Sequence, residues 1–135
     1  MTVFDGPWAK ELLGLLKKRL PEKTFKHVIS VTEMMVRLVE PAALDHEQAV
    51  TAGLLHDLCK TMKPDELLKR AKEYGIRPNE AQKAKPNLLH GPVAAEEGRR
   101  KLKIRDEAVY EAVYYHTVGK PGWCRLGLAL YVADF

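Results

Sequence analysis

The sequence predicts an all-α protein, a bundle of about six to eight helices. Apolar residues recur three and four positions apart through most of the chain. Prolines and capping residues fall between those runs rather than inside them. No segment alternates apolar and polar residues as a half-buried strand does. A chain of 135 residues holds material for one core, so residues 1–135 are expected to form a single domain.

The first apolar run is Trp8, Leu12, Leu13, Leu15, Leu16 and Leu20, with lysines opposite and Pro7 suited to a first helical position. It makes residues 1–20 an N-terminal helical segment. Pro21 opens a second helix to about Glu40, closed by Pro41, with Phe25, Val28, Ile29, Val31, Met34, Met35, Leu38 and Val39 on its inner face. Asp45 is an N-cap for a third helix extending to about Lys60. That helix is so rich in alanine and leucine that it belongs at the centre of the bundle. Pro64-Asp65-Glu66 starts a fourth helix through about Tyr74, which Gly75 stops. Residues 79–90 have weaker periodicity, a loop or broken helix that delivers His90. Gly91-Pro92 begin a helix to about Lys103, and Asp106 caps another through Tyr115. Residues 117–122 form a turn-rich loop. A last helix covers about Trp123 to Phe135, with Leu126, Leu128, Leu130, Tyr131 and Val132 as its apolar residues.

Hydrophobic content of 46% with 30% charged residues argues against disorder. The net charge of +4 comes from basic residues scattered among acids, apart from Arg99, Arg100, Lys101 and Lys103. That pattern suits small anions and gives no reason to expect nucleic acid as a partner. Cys59 and Cys124 form no framework, so the reduced cytoplasm is the expected location. The first residues do not read as a signal peptide. No apolar run approaches the roughly 20 residues that a membrane span needs.

His56 and Asp57 end the apolar run Ala49–Leu55. Two polar groups there need partners, and a divalent cation is one. Alone the dipeptide is a weak signal. Neighbours on a helix diverge by about 100°, and a helix end with a solvated aspartate would account for it equally well. Other candidate ligands are His27 in the second helix, His90 at a helix start, His116 at a helix end, and Asp134. Imidazole with carboxylate suits Fe, Mn, Co, Ni or Zn, and the lack of a cysteine cluster argues against structural zinc. His46 stands outside this pattern as a surface residue, and Cys59 is a small buried hydrophobe.

The order His27, His56-Asp57, His90, His116, Asp134 on an all-α chain resembles the HD-domain metal-dependent phosphohydrolase superfamily. The stretches Leu54–Lys60, Leu89–Ala94, Tyr115–Gly122 and Leu130–Asp134 are similar to the YqeK family within it. The resemblance covers most of the chain from about residue 22 onward. It implies an HD-domain helical bundle with a metal-binding core over residues 21–135, and symmetrical hydrolysis of diadenosine tetraphosphate to two ADP. It also implies one or two divalent ions, iron first, with Mn, Co, Ni, Mg or Zn as alternatives. Carried over by position, His27, His56, Asp57 and Asp134 would hold one ion. His90 and His116 would hold a second, with Asp57 bridging; Asp57, His90 and His116 would be the catalytic residues.

Paired cations can share a hydroxide, lower its pKa and neutralise phosphate oxygens. Displacement at phosphorus needs positioning more than covalent catalysis, which suits a chain without an evident serine or cysteine nucleophile. Lys60 either contacts a substrate phosphate or answers a helix dipole. Thr117, Gly119 and Lys120 either bring backbone amides to a phosphate chain or form a simple turn. Tyr114, Tyr115 and Trp123 either stack on a base or pack at the core and rim. The chain departs from the family pattern at Thr24 and Tyr114, where arginines are usual. Family members continue past the position of Phe135, so this chain is expected to be truncated relative to them. A nucleotide substrate is the expected partner, with no membrane, and a homodimer is compatible. The competing functions are an HD phosphohydrolase acting on a deoxynucleotide or guanosine alarmone, and a non-catalytic nucleotide- or metal-binding module.

Overall fold

The computed structural model describes residues 8–135, which contain eight α-helices, one 3₁₀ turn and no strand. The helices are α1 (Ala9–Arg19), α2 (Glu22–Leu38), α3 (His46–Leu55), α4 (Pro64–Glu73), α5 (Glu80–Ala84), α6 (His90–Lys101), α7 (Glu107–Tyr114) and α8 (Arg125–Asp134). The 3₁₀ turn is Pro86–Leu89, between α5 and α6. Pro7, expected as a first helical residue, lies outside the described residues.

Helix α3 is the axle. Every residue from Ala49 to Leu55 is buried, and the helix packs against α1, α2, α6, α7 and α8. Its closest crossing is with α2, and Gly53 makes that possible. A Cβ on Gly53 would stand 2.7 Å from Thr32 Oγ1 and 2.9 Å from Thr32 Cα, closer than carbon atoms pack. The absence of a side chain lets α3 press onto α2, which carries His27.

Helix α3 ends at Leu55, not near Lys60 as its composition suggests. The His56 N–H still reaches back four residues to the Ala52 carbonyl. After it the chain tightens to three-residue returns, Leu58 to Leu55, Lys60 to Asp57 and Met62 to Cys59, each 3.1 Å. In an uninterrupted helix the Gly53 carbonyl would accept from the Asp57 N–H. Here it accepts from His56 Nδ1 at 2.6 Å, so a side chain ends the helix.

Residues 79–90 are a broken helix. Asn79 and Gln82 form a reciprocal capping box at the start of α5. Pro86 keeps Lys85 out of the helical region, at φ −135° and ψ 81°, and the chain resumes as the 3₁₀ turn. The last helix begins at Arg125 rather than Trp123, because Cys124 is its N-cap, Sγ accepting from the Gly127 N–H at 3.4 Å. Trp123 packs inward instead, its indole N–H donating to the Glu111 carbonyl at 3.4 Å. Not all of the apolar residues of α2 and α8 face inward. On α2 Met34 is exposed beside buried Met35. On α8 Leu128, Tyr131 and Val132 are exposed while Leu126, Ala129 and Leu130 are buried. In both helices the inner stripe is narrower than the run of apolar residues.

Candidate metal centre

Three histidines are oriented by one device. His56, His90 and His116 each donate Nδ1–H to the backbone carbonyl three residues earlier. The acceptors are Gly53 at 2.6 Å, Asn87 at 2.7 Å and Val113 at 2.6 Å. A carbonyl only accepts, so the proton sits on Nδ1, and in the neutral ring Nε2 is left as an electron-pair donor. Each of these residues stands at the boundary of a helical element: His56 caps α3, His90 begins α6, and His116 follows α7. Sequence gives no side-chain signal for this arrangement, since the orienting groups are carbonyls.

The Nε2 atoms converge on Asp57, a residue 1% exposed. Its Oδ1 lies 3.2 Å from His90 Nε2 and 3.5 Å from His116 Nε2. Its Oδ2 lies 3.3 Å from His56 Nε2 and 3.8 Å from His27 Nε2. Asp134, the last residue of α8, places Oδ1 2.8 Å from His27 Nε2 and 3.5 Å from His56 Nε2. The result is two donor sets, His27, His56, Asp57 and Asp134 in one and Asp57, His90 and His116 in the other. Within each set the donor atoms lie no more than 4.8 Å apart. Ending α3 at Leu55 is what frees His56 and Asp57 from the divergence of a continuous helix.

This donor set fits a divalent cation. Among the described residues His56 Nε2 and Asp57 Oδ2 are buried without a hydrogen-bond partner, although only 3.3 Å separates them. His90 Nε2 and His116 Nε2 face each other at 3.1 Å, two acceptors in their neutral rings, an arrangement that calls for positive charge between them. The surroundings also favour such charge. Burial pushes the His56 imidazole down, but the Asp57 and Asp134 carboxylates outweigh it and raise its pKa to about 10. Burial pushes Asp57 up, but the neighbouring His56, with the His116 and His90 rings close by, holds it well below the usual carboxylate range. Asp134 is lowered too, burial being outweighed by His56 and His27. His116 goes the other way and is lowered, because burial and the neighbouring His56 and His90 exceed the pull of Asp57.

A family model for the HD domain matches residues 24–134. The chain belongs to the HD domain family. Among its relatives, a protein of Bacillus subtilis named bis(5'-nucleosyl)-tetraphosphatase, symmetrical, is 32% identical over 93% of this chain and 67% of its own. A protein of the same name from Staphylococcus aureus is 31% identical, over 90% of this chain and 62% of its own. A crystal structure from Clostridium acetobutylicum, described as a predicted HD superfamily hydrolase involved in NAD metabolism, superposes with a TM-score of 0.89 at 30% identity. It is matched over 93% of this chain and 66% of its own. This HD domain thus spans about two thirds of the length of these three relatives.

The remaining candidates sit around the HD centre in different ways. Lys60 lies beyond the end of α3, in the turns that follow it. Its Nζ is 3.7 Å from Asp57 Oδ2. Thr117 donates its hydroxyl to the Leu88 carbonyl at 2.9 Å. The Gly119 amide is taken by the Tyr115 carbonyl at 2.6 Å and the Val118 amide by the same oxygen at 3.1 Å, so neither is a free donor for a phosphate. Lys120 Nζ lies 3.8 Å from Glu111 Oε1 and 5.1 Å over the Tyr115 ring. Tyr114 and Tyr115 are half-buried, their rings in contact at a tilt of 53°, and Trp123 is core. His46 is half-buried rather than a plain surface residue. Cys59 is buried, its thiol donating to Glu97 Oε1 at 3.7 Å.

His56 sets the pH dependence of the metal-free HD domain above its ordinary value of 6.5. Its raised pKa contributes stability that is complete below pH 6.5 and lost as the pH climbs through about 10. The lowered carboxyls of Asp57 and Asp134 contribute above their ordinary 3.8 and fail as the pH falls below it. His116, being lowered, works against stability only below 6.5. Denaturant unfolding of chelator-treated protein is expected to show about 1–2 kcal/mol less stability near pH ~8.5 than near pH ~6.5. Equal stability at the two would contradict a protonated His56. A bound divalent cation should reverse the trend, since it competes with protons for the rings.

Proposed function

We propose that this HD domain is a metal-dependent phosphohydrolase that splits diadenosine tetraphosphate symmetrically into two ADP. The observation that carries the proposal is Asp57, which turns one oxygen to each of two histidine sets. The nucleotide assignment draws on the names of the Bacillus subtilis and Staphylococcus aureus relatives. Divalent cations, iron first and Mn, Co, Ni, Mg or Zn as alternatives, would activate a water and offset charge on the phosphate oxygens.

The chain's own groups do the remaining work. The carbonyls of Gly53, Asn87 and Val113 hold three imidazoles in orientation. Asp57 and Asp134 keep the centre anionic, so it attracts cations before substrate. Lys60, 44% exposed at its side chain, supplies positive charge beside Asp57 for a phosphate. No side-chain nucleophile is required, because displacement at phosphorus is governed by positioning and electrostatics. No helix among the described residues is long and apolar enough to cross a membrane. Both cysteines are free, which suits the reduced cytoplasm, and a homodimer is compatible with the exposed residues of α8.

The test is elemental analysis of anaerobically purified protein, then incubation of the same sample with diadenosine tetraphosphate. ADP is expected as the nucleotide product, lost on chelation and restored by Fe²⁺ or Mn²⁺. ATP with AMP would mean asymmetric cleavage. Nucleotide binding without turnover would make the domain a binding module.

A further inference from the structure

His90 and His116 belong to different elements, one opening α6 and the other following α7. Yet their Nε2 atoms stand 3.1 Å apart over a single carboxylate oxygen. Two contacts tie the elements together, one on each side of the pair. Gly91 directly follows His90. A Cβ there would lie 3.0 Å from the carbonyl oxygens of Val113 and Tyr114, and 3.1 Å from His116 Nδ1. The first turn of α6 is therefore pressed against the end of α7 at the very carbonyl that orients His116. Thr117 directly follows His116, and its hydroxyl donates to the carbonyl of Leu88, two residues before His90. The residue after each histidine thus grips the segment that carries the other.

We propose that Gly91 and Thr117 are positioning residues, a two-point clamp that fixes the His90–His116 spacing and with it the cation affinity of the Asp57, His90 and His116 set. The contacts that define the clamp are with Leu88, Val113, Tyr114 and His116, none of which belongs to the His27, His56, Asp57 and Asp134 set, so its main effect falls on the other set. This rests on the two-set reading of the centre. It also gives Thr117 a different task from holding substrate.

The experiment is a calorimetric titration of metal-free protein with Mn²⁺, for wild type, Thr117→Val, Thr117→Ser and Gly91→Ala, with circular dichroism confirming that each is folded. Thr117→Val keeps the side-chain shape and removes the donor. It is expected to weaken one of two bound ions by about 10–100-fold, as loss of outer-shell partners does, and to leave the other unchanged. Thr117→Ser should recover most of that loss, and Gly91→Ala should weaken the same ion. Unchanged binding in Thr117→Val, or equal weakening of both ions, overturns the clamp. A wild type that takes a single ion removes the two-set reading. The clamp then stands if Thr117→Val weakens that ion at least about tenfold with recovery in Thr117→Ser, and falls if it does not.

Discussion

Replacing Asp57 with alanine is expected to abolish hydrolysis, lowering turnover by a factor of about 10³ or more, and to empty the centre of its cations. Loss of several kcal/mol of transition-state charge stabilisation corresponds to at least that factor. Asp57 is singled out because it is shared. Its Oδ1 faces His90 and His116, and its Oδ2 faces His56, His27 and Lys60. Every other ligand candidate serves one set. Without Asp57, only Asp134 is left to oppose burial at His56, and its proton leaves at a lower pH than about 10. The centre then offers imidazoles with one partly exposed carboxylate, Asp134. Elemental analysis and ADP release on the same preparation test this, and Asp57→Ala with wild-type turnover would refute the assignment. His27→Ala, removing a side chain 40% exposed and confined to one set, should do less damage.

The helices were legible because Pro21, Asp45, Pro64 and Asp106 punctuate the apolar runs, and each stands at or next to a helix start. The ligand candidates were legible as an order of residue types, which a resemblance can recognise. Their convergence was not. A helix continued through Leu58 and Cys59 fits the composition, and it would have pointed His56 and Asp57 apart. A side chain's capture of the Gly53 carbonyl, an event with no sequence signature, ends that helix. The fate of the Gly119 amide was hidden for a related reason. A turn rich in glycine offers donors on paper, but closing the turn onto Tyr115 consumes them. The exposed residues on α8 show a third limit. Apolar identity places a residue on a helix, and only the neighbouring helices decide which of its faces is covered.

Arg19 and Glu97 were equally hidden, two charges that look like solvent-facing residues on α1 and α6. Arg19→Met is expected to destabilise the fold by about 3 kcal/mol or somewhat more, the lower part of the range for breaking a buried pair. Glu97 is 2% exposed, and Arg19 Nη2 meets its Oε2 at 2.8 Å. Among the described residues its other oxygen has only the Cys59 thiol, at 3.7 Å. Removing the arginine therefore leaves a buried carboxylate with one weak donor. The reverse change is milder. The Arg19 side chain is 31% exposed, so after Glu97→Met the guanidinium can turn to water. Replacing both should restore much of the loss, because an apolar pair needs neither charge compensated. Denaturant unfolding of the three metal-free variants measures the order: Arg19→Met worst, Glu97→Met milder, the double variant no worse than Glu97→Met. If Arg19→Met and Glu97→Met cost the same, the asymmetry of burial does not govern the pair. The effect should also reach the centre. Cys59 is two residues from Asp57 in the turn after α3, and Arg19 Nη1 reaches its sulfur at 4.0 Å. Loosening that turn frees the carboxylate that both donor sets share, so cation affinity should fall together with stability in Arg19→Met.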